Sequence, residues 1–174
     1  NPKLTKDYKE VKAAIEEEYK AKGQTLTSSA DWKTANDMVE RLAACGLLKK
    51  RLTGKYQVEF NEDLDGVPLR GFLDCLGDGF ITDSKSARSV DKFRYDINGW
   101  SYDIQAYIYT KVFDIKDYYW VVQEKTYPYY PAEIKCSEET LFKGEMKYHQ
   151  ALENIKAYLD KKQPELDCYA SFTV

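Results

Sequence analysis

Asp74, Asp83 and Lys85 carry the side chains best suited to chemistry, within the stretch Arg70 to Ser86 that reads R-G-F-L-D-C-L-G-D-G-F-I-T-D-S-K-S. Two carboxylates offer the hard oxygen ligands that Mg2+ or Mn2+ prefers, and such ions keep several waters that substrate phosphates can replace. An ammonium beside them can orient a metal-activated water or stabilise the charge that develops on a phosphate in the transition state. The chemistry so composed is metal-assisted hydrolysis of a phosphate ester. A backbone carbonyl at Ser84 adds a further candidate oxygen, because that peptide lies between the two functional side chains.

This chemistry requires convergence, and strand geometry predicts it. Side chains along a strand alternate faces, so Asp83 and Lys85 project together while Ser84 points away. Gly77-Asp78-Gly79 is a tight-turn signal between the apolar runs Leu69 to Leu76 and Phe80 to Thr82. The returning strand therefore brings Asp83 towards Asp74. A basic patch follows the hairpin, where Lys85, Arg88, Lys92 and Arg94 stand against Asp91 alone.

The elements that must hold these groups read as follows. Lys6 to Lys22 shows a narrow apolar stripe of Tyr8, Val11, Ile15 and Tyr19, predicting a peripheral helix. Ser28 and Ser29 offer an N-cap to a second helix from Ala30 to Cys45, with Gly46 as its stop. Its line of Trp32, Ala35, Val39, Leu42 and Cys45 predicts packing on the core. Lys55 to Phe60, Val67 to Cys75 and Phe80 to Lys85 form an antiparallel meander, broken at N-E-D-L-D-G and G-D-G. The first of these breaks imitates an EF-hand loop, but Phe72 falls where a bidentate glutamate is required, so it is read as a hairpin turn.

Beyond a basic connector, Asn98 to Phe113 has helical periodicity, Tyr118 to Gln123 and Ala132 to Cys136 read as strands, and Ser137 to Leu159 as a long helix. The order helix, three strands, helix, strand predicts an α/β sandwich with a parallel crossover. Lys161 to Val174 reads as a tail that wraps back through Tyr169 and Phe172. On the helix after the site, in G-W-S-Y-D-I-Q-A-Y-I-Y, Tyr102, Gln105 and Tyr109 share one face, while Ile104 and Ile108 lie opposite.

Composition narrows the partners. With 174 residues and 43% hydrophobic content the chain can bury one core, and a single domain over 1–174 is expected: peripheral helix 1–28, core 30–136, C-terminal helix and tail 137–174. With 26 basic against 29 acidic residues the formal charge is -3, so any nucleic-acid contact must be a local basic patch. Four cysteines without a C-x-x-C pair argue against a zinc ribbon or an iron-sulfur cluster, and are read as reduced, mostly buried thiols. No apolar run approaches the roughly 18 residues of a membrane span, and the N-terminus is not a signal peptide, so a cytoplasmic location is expected. The chain begins at Asn1 rather than Met, and a further N-terminal region is expected to precede it. Phosphate-binding G-x-x-x-x-G-K-[ST], H-E-x-x-H and G-x-S-x-G patterns do not occur, which removes support for ATPase, metalloprotease and esterase readings.

Taken in order, G-F-L-D, then I-T-D-S-K-S, then Q-A-Y-I-Y resembles the PD-(D/E)XK nuclease superfamily, in particular its RecB-like and RecE-like exonuclease-VIII-type branch of phage and prophage. The likeness continues into V-V-Q-E-K-T-Y-P-Y at Val121 to Tyr129 and spans Trp32 to Leu159. It implies a restriction-endonuclease-like αβββαβ core whose mixed central sheet is flanked by helices. It implies Asp74 and Asp83 as ligands of Mg2+ or Mn2+, Lys85 as catalytic lysine, and Gln105 with Tyr109 as the helix motif lining the site and DNA. Many relatives place a histidine or glutamate on the first core helix, whereas the one histidine here is His149, to which no catalytic role is given. Glu40 is the preferred substitute and Glu59 its rival. Glu124 and Lys125 fit the family pattern after the last core strand, and equally fit a surface ion pair.

The activity so implied is an exodeoxyribonuclease acting on linear double-stranded DNA with a free end, in recombination or repair. Arg88, Lys92, Arg94 and Tyr102 would serve DNA binding, with a recombination partner protein and a homo-oligomeric ring as possible assemblies. The alternatives are an endonuclease on structured or single-stranded DNA, and a nuclease-fold protein that binds DNA or a partner without cutting.

Overall fold

A computed structural model describes residues 6–24 and 27–160. Tyr169, Phe172 and Cys168, with the tail expected to wrap back, lie outside the described residues. The chain divides into two compact units, Asn1–Glu40 and Arg41–Val174.

The first unit contains α1 (Lys6–Ala21) and most of α2 (Ser29–Ala44). Along α1, pairs such as Lys12 with Glu16 at 3.4 Å follow the four-residue spacing of a solvated helix. The predicted cap of α2 is present: Ser28 Oγ accepts the Asp31 N–H at 3.0 Å. No residue of α2 is buried, and Trp32 and Val39 are 63% and 64% exposed. Apolar periodicity shows that a helix has an apolar face without showing what covers it. α2 ends at Ala44, as the stop expected at Gly46 requires, and Gly46 itself opens a separate short turn, α3 (Gly46–Lys49).

The second unit is built on a mixed sheet in the order β1 (Lys55–Leu64), β2 (Val67–Leu76), β3 (Phe80–Ala87), β4 (Asp117–Glu124), β5 (Pro131–Lys135). Only β3 and β4 run parallel, as the intervening helical crossover requires. The N-E-D-L-D-G stretch is the expected hairpin turn. Asp65 and Gly66 both have positive φ, 55° and 82°, the left-handed pair of a two-residue hairpin loop, and Asp63 Oδ1 accepts the Gly66 N–H at 2.8 Å.

The crossover contains two helices rather than one, α4 (Phe93–Gly99) and α5 (Tyr102–Phe113). Ser101 breaks them apart at φ 56°, in the left-handed region. Phe60, Leu73, Ile81, Phe93, Tyr109, Tyr118 and Trp120 form the main core between this crossover and the sheet. The final helix, α6 (Glu138–Leu159), starts on a Ser137 cap and packs on α5. Asp103, 1% exposed, receives Lys147 Nζ at 2.6 Å, so a buried charge ties the two helices together.

Gly144 is required at their crossing, because a Cβ there would lie 2.1 Å from the Asp103 carbonyl oxygen, a backbone atom that cannot swing aside. Gly144→Ala is therefore expected to force the helices apart and destabilise the protein by about 1–3 kcal/mol, despite alanine's better helix propensity. Urea unfolding checks this, and an unchanged or raised midpoint would count against the close packing. His149, exposed on α6, contacts the rings of Tyr107 and Tyr148. Cys75 and Cys136 are buried free thiols and Cys45 is partly exposed. Among the described residues no helix is long and apolar enough to cross a membrane.

Candidate metal and phosphate site

β2 and β3 exchange backbone pairing at only two positions, Cys75 with Thr82 and Leu76 with Ile81. The next residues out from the turn are Asp74 and Asp83, and there a side chain replaces the ladder. Asp74 Oδ2 accepts the Ser84 N–H at 2.9 Å, and its Oδ1 accepts from Gln57 Nε2 at 3.2 Å. Gln57 has φ 49° within β1, an unusual conformation for a residue with a side chain. No sequence pattern announces it.

Asp83 is 3% exposed on the central strand. Burial pushes its carboxyl up to about 6, the neighbouring Asp74 charge adds to the rise, and Lys85 opposes it. Lys85 Nζ lies 2.5 Å from Asp83 Oδ2, as their shared strand face predicts. On its other side the ammonium sits 4.8 Å from the centre of the Tyr102 ring, which stacks on Phe93. The lysine is thus held between a carboxylate and an aromatic face.

The residues present fit a hard divalent ion. Asp83 is a buried carboxylate whose ionisation is hindered, so added positive charge would favour its charged form. Among the described residues no group of three or more His, Cys, Asp or Glu is arranged to hold an ion. Two carboxylates with water and substrate oxygens nevertheless match the way Mg2+ is commonly held. Glu59 is engaged elsewhere, receiving Arg70 at 2.8 Å. Glu40 is exposed on α2, in the first unit.

Gln105 and Tyr109 form a relay to the backbone. Gln105 Nε2 donates to Tyr109 Oη at 3.2 Å, and that hydroxyl donates to the Phe72 carbonyl at 3.1 Å. Tyr109 is buried with its ring edge on Phe60, so it fixes β2 two residues before Asp74. Tyr118 is a further neighbour that the sequence reading missed. Its buried hydroxyl has no hydrogen-bond partner among the described residues, and burial, with Asp83 adding, raises its pKa well above the ordinary value.

Arg88, Lys92 and Tyr102 line a groove of about 700 Å3 together with Trp100 and Lys125. Arg94 is not among the groove-lining residues and packs on the Tyr95 ring at 4.8 Å. Glu124 does not pair with Lys125; its Oε1 accepts the Val90 N–H at 2.9 Å and pins the loop that carries Arg88 and Lys92.

A crystal structure titled "Putative exonuclease" from Eubacterium rectale shares this fold with a TM-score of 0.66 and 18% identity, over 96% of this chain and 71% of that one. A second solved structure, of SSO0001, is 17% identical over 65% of this chain and 57% of its own, and its TM-score of 0.40 is too low to bear on the fold. No curated protein matches. The model of a family described as a PDDEXK-like domain of unknown function, DUF3799, matches residues 2–169. With nearly its whole length matched and the mixed five-stranded sheet in place, the chain belongs to this PDDEXK-like family, within the PD-(D/E)XK nuclease superfamily.

Proposed function

We propose that this chain is a divalent-metal-dependent deoxyribonuclease that hydrolyses phosphodiester bonds of linear duplex DNA from an end, in recombination or repair of the phage type. The observation that carries the reading is the meeting of Asp74, Asp83 and Lys85 where the β2–β3 ladder stops. The exonuclease name carried by the Eubacterium rectale structure favours the same mode.

Asp74, Asp83 and the Ser84 carbonyl would hold Mg2+ or Mn2+, which when bound supplies an acidified water and neutralises phosphate charge. Asp83 contributes a carboxylate on a rigid central strand. Asp74, anchored by Gln57 and the Ser84 N–H, keeps its orientation without the metal. Lys85 brings a fixed cation to the phosphate, and Tyr102 holds that cation in line. Gln105 and Tyr109 act one step back, as positioning residues on β2.

The test compares linear and closed-circular duplex DNA with Mg2+ or Mn2+. Progressive loss of the linear form with the circle intact is expected. Linear DNA left intact, together with no metal binding by calorimetry, would overturn the reading, while nicking of the circle would replace it by an endonuclease.

A further inference from the structure

We infer that Gln57 is a metal-binding residue, whose side-chain amide oxygen joins Asp74 and Asp83 on the divalent ion. The inference rests on the metal-dependent reading and deepens it, by naming a ligand that no acidic residue supplies.

The carboxylate pair is short of side-chain oxygen. Among the described residues no group of three or more His, Cys, Asp or Glu is arranged to hold an ion. Glu59 is held by Arg70 at 2.8 Å, and Glu40 belongs to the first unit. Mg2+ and Mn2+ take neutral carbonyl oxygens as well as carboxylates, so an amide can stand where a third acid does not.

The backbone brings the glutamine to that gap. Across β1 and β2 the register pairs Tyr56 with Cys75 and Val58 with Leu73, and passes over Gln57 and Asp74 between them. On its other side β2 stops pairing with β3 at Cys75, so Asp74 is released from both ladders. Among the described residues Gln57 is the one non-glycine with positive φ inside a strand, at 49°. A left-handed conformation there costs free energy that glutamine does nothing to relieve, and such outliers persist where the surrounding fold holds them at a site. The result is an exposed amide, open to water and ions, with Nε2 3.2 Å from Asp74 Oδ1.

That separation suits a ligand. Two oxygens on adjacent corners of an octahedron with bonds of about 2.0–2.1 Å stand about 2.9 Å apart. A half turn of the amide exchanges its nitrogen for its oxygen at nearly the same place. Without an ion the N–H faces Asp74 and lends it a donor; with an ion on Asp74 the oxygen faces the ion. Glutamate lacks this choice, because a third carboxylate would repel Asp74 and Asp83 before any cation arrived.

A crystal of the full chain soaked in Mn2+, with the ion located by its anomalous scattering, tests the assignment directly. The ion is expected on Asp74 and Asp83, with Gln57 Oε1 within about 2.4 Å of it. A water in that position, or an amide that still donates to Asp74, would overturn the inference. Calorimetric titration with Mn2+ gives a second readout in solution. Gln57→Met should weaken binding roughly tenfold or more, while its thermal midpoint in EDTA stays near that of the parent. Gln57→Glu keeps an oxygen and loses the donor, so it should bind Mn2+ at least as tightly as the parent. Parental affinity in Gln57→Met, or an equal loss in both variants, would count against the ligand. The two readings fail separately. Mn2+ held by Asp74 and Asp83 without Gln57 keeps the metal site and drops this ligand, whereas a parent protein that takes up no Mn2+ loses the metal reading itself.

Discussion

Asp83→Asn is expected to remove metal-dependent cleavage by roughly 10^2–10^3-fold or more and, in the same protein, to stabilise the metal-free fold. The two effects share a cause. The Asp83 carboxyl titrates at about 6 in the fold because it is buried, against about 3.9 in an unfolded chain. Between those values the folded state binds the proton more tightly than the unfolded state, so stability falls as pH rises through the window. Above about pH 6 the penalty is complete, on the order of 3 kcal/mol, and asparagine escapes it.

The favourable charge of Lys85 is already contained in that shift, so nothing further is subtracted for the lost pair. A rise of roughly 3 kcal/mol corresponds to about 6–12 °C in a chain of this size. Thermal melts in EDTA should show parent and variant close together near pH 4, diverging as the pH rises to about 6 and keeping a constant margin above it. A variant that melts lower at pH 7.5, or by the same margin at every pH, would contradict the buried-carboxylate account. Added Mg2+ should raise the midpoint of the parent and leave that of the variant unmoved.

How much of this was legible in the sequence depends on the range of the interactions. Period-two alternation put Asp83 and Lys85 on one face, and turn chemistry at Asp65-Gly66 and Gly77-Asp78-Gly79 set both hairpins. Those are local rules. The break at Ser101 is different, since G-W-S carries no proline and a serine at φ 56° is held by its surroundings rather than by its own preference. Gln57 was equally invisible, and Glu124, though noticed, was not readable for its partner, because what they do is meet Asp74 and the Val90 N–H across the fold. Tyr109 shows a mixed case: its helical face was readable, but its bond to the Phe72 carbonyl, which makes it a buried support of β2, was not. The exposed face of α2 shows the limit from the other side, an apolar stripe whose pattern predicted a core contact.

Lys85→Met is expected to lose cleavage by roughly 10^2–10^3-fold, and it separates two roles that one ammonium combines. The first role is structural. With Lys85 Nζ gone from its place 2.5 Å from Asp83, the buried carboxylate has no opposing charge, and its pKa rises further above 6. Near pH 7.5 the metal-free variant should then be less stable by on the order of 2–3 kcal/mol, a cost of leaving one partner of a buried pair alone. The Asp83→Asn/Lys85→Met double variant should recover most of it, giving a coupling of about 1–3 kcal/mol by urea unfolding. Additive single effects would show that the pair does not interact.

The second role concerns the phosphate. If Lys85 served only to ionise Asp83, Lys85→Met would shift the pH–rate profile upward and regain parental cleavage once the carboxylate was fully charged and saturated with Mg2+. If it also stabilises charge on the phosphate, the plateau at high pH stays low, because no protonation state of Asp83 replaces the missing cation. The contact of Lys85 with Tyr102, which also lines the groove of Arg88, Lys92 and Lys125, favours the low plateau, because it sets the ammonium next to a cationic groove suited to phosphates. Lys85→Arg tests the same point from the opposite side. It keeps the charge that Asp83 needs, so stability should stay near the parent, while its bulkier planar head misplaces the donor and cleavage should fall at least tenfold.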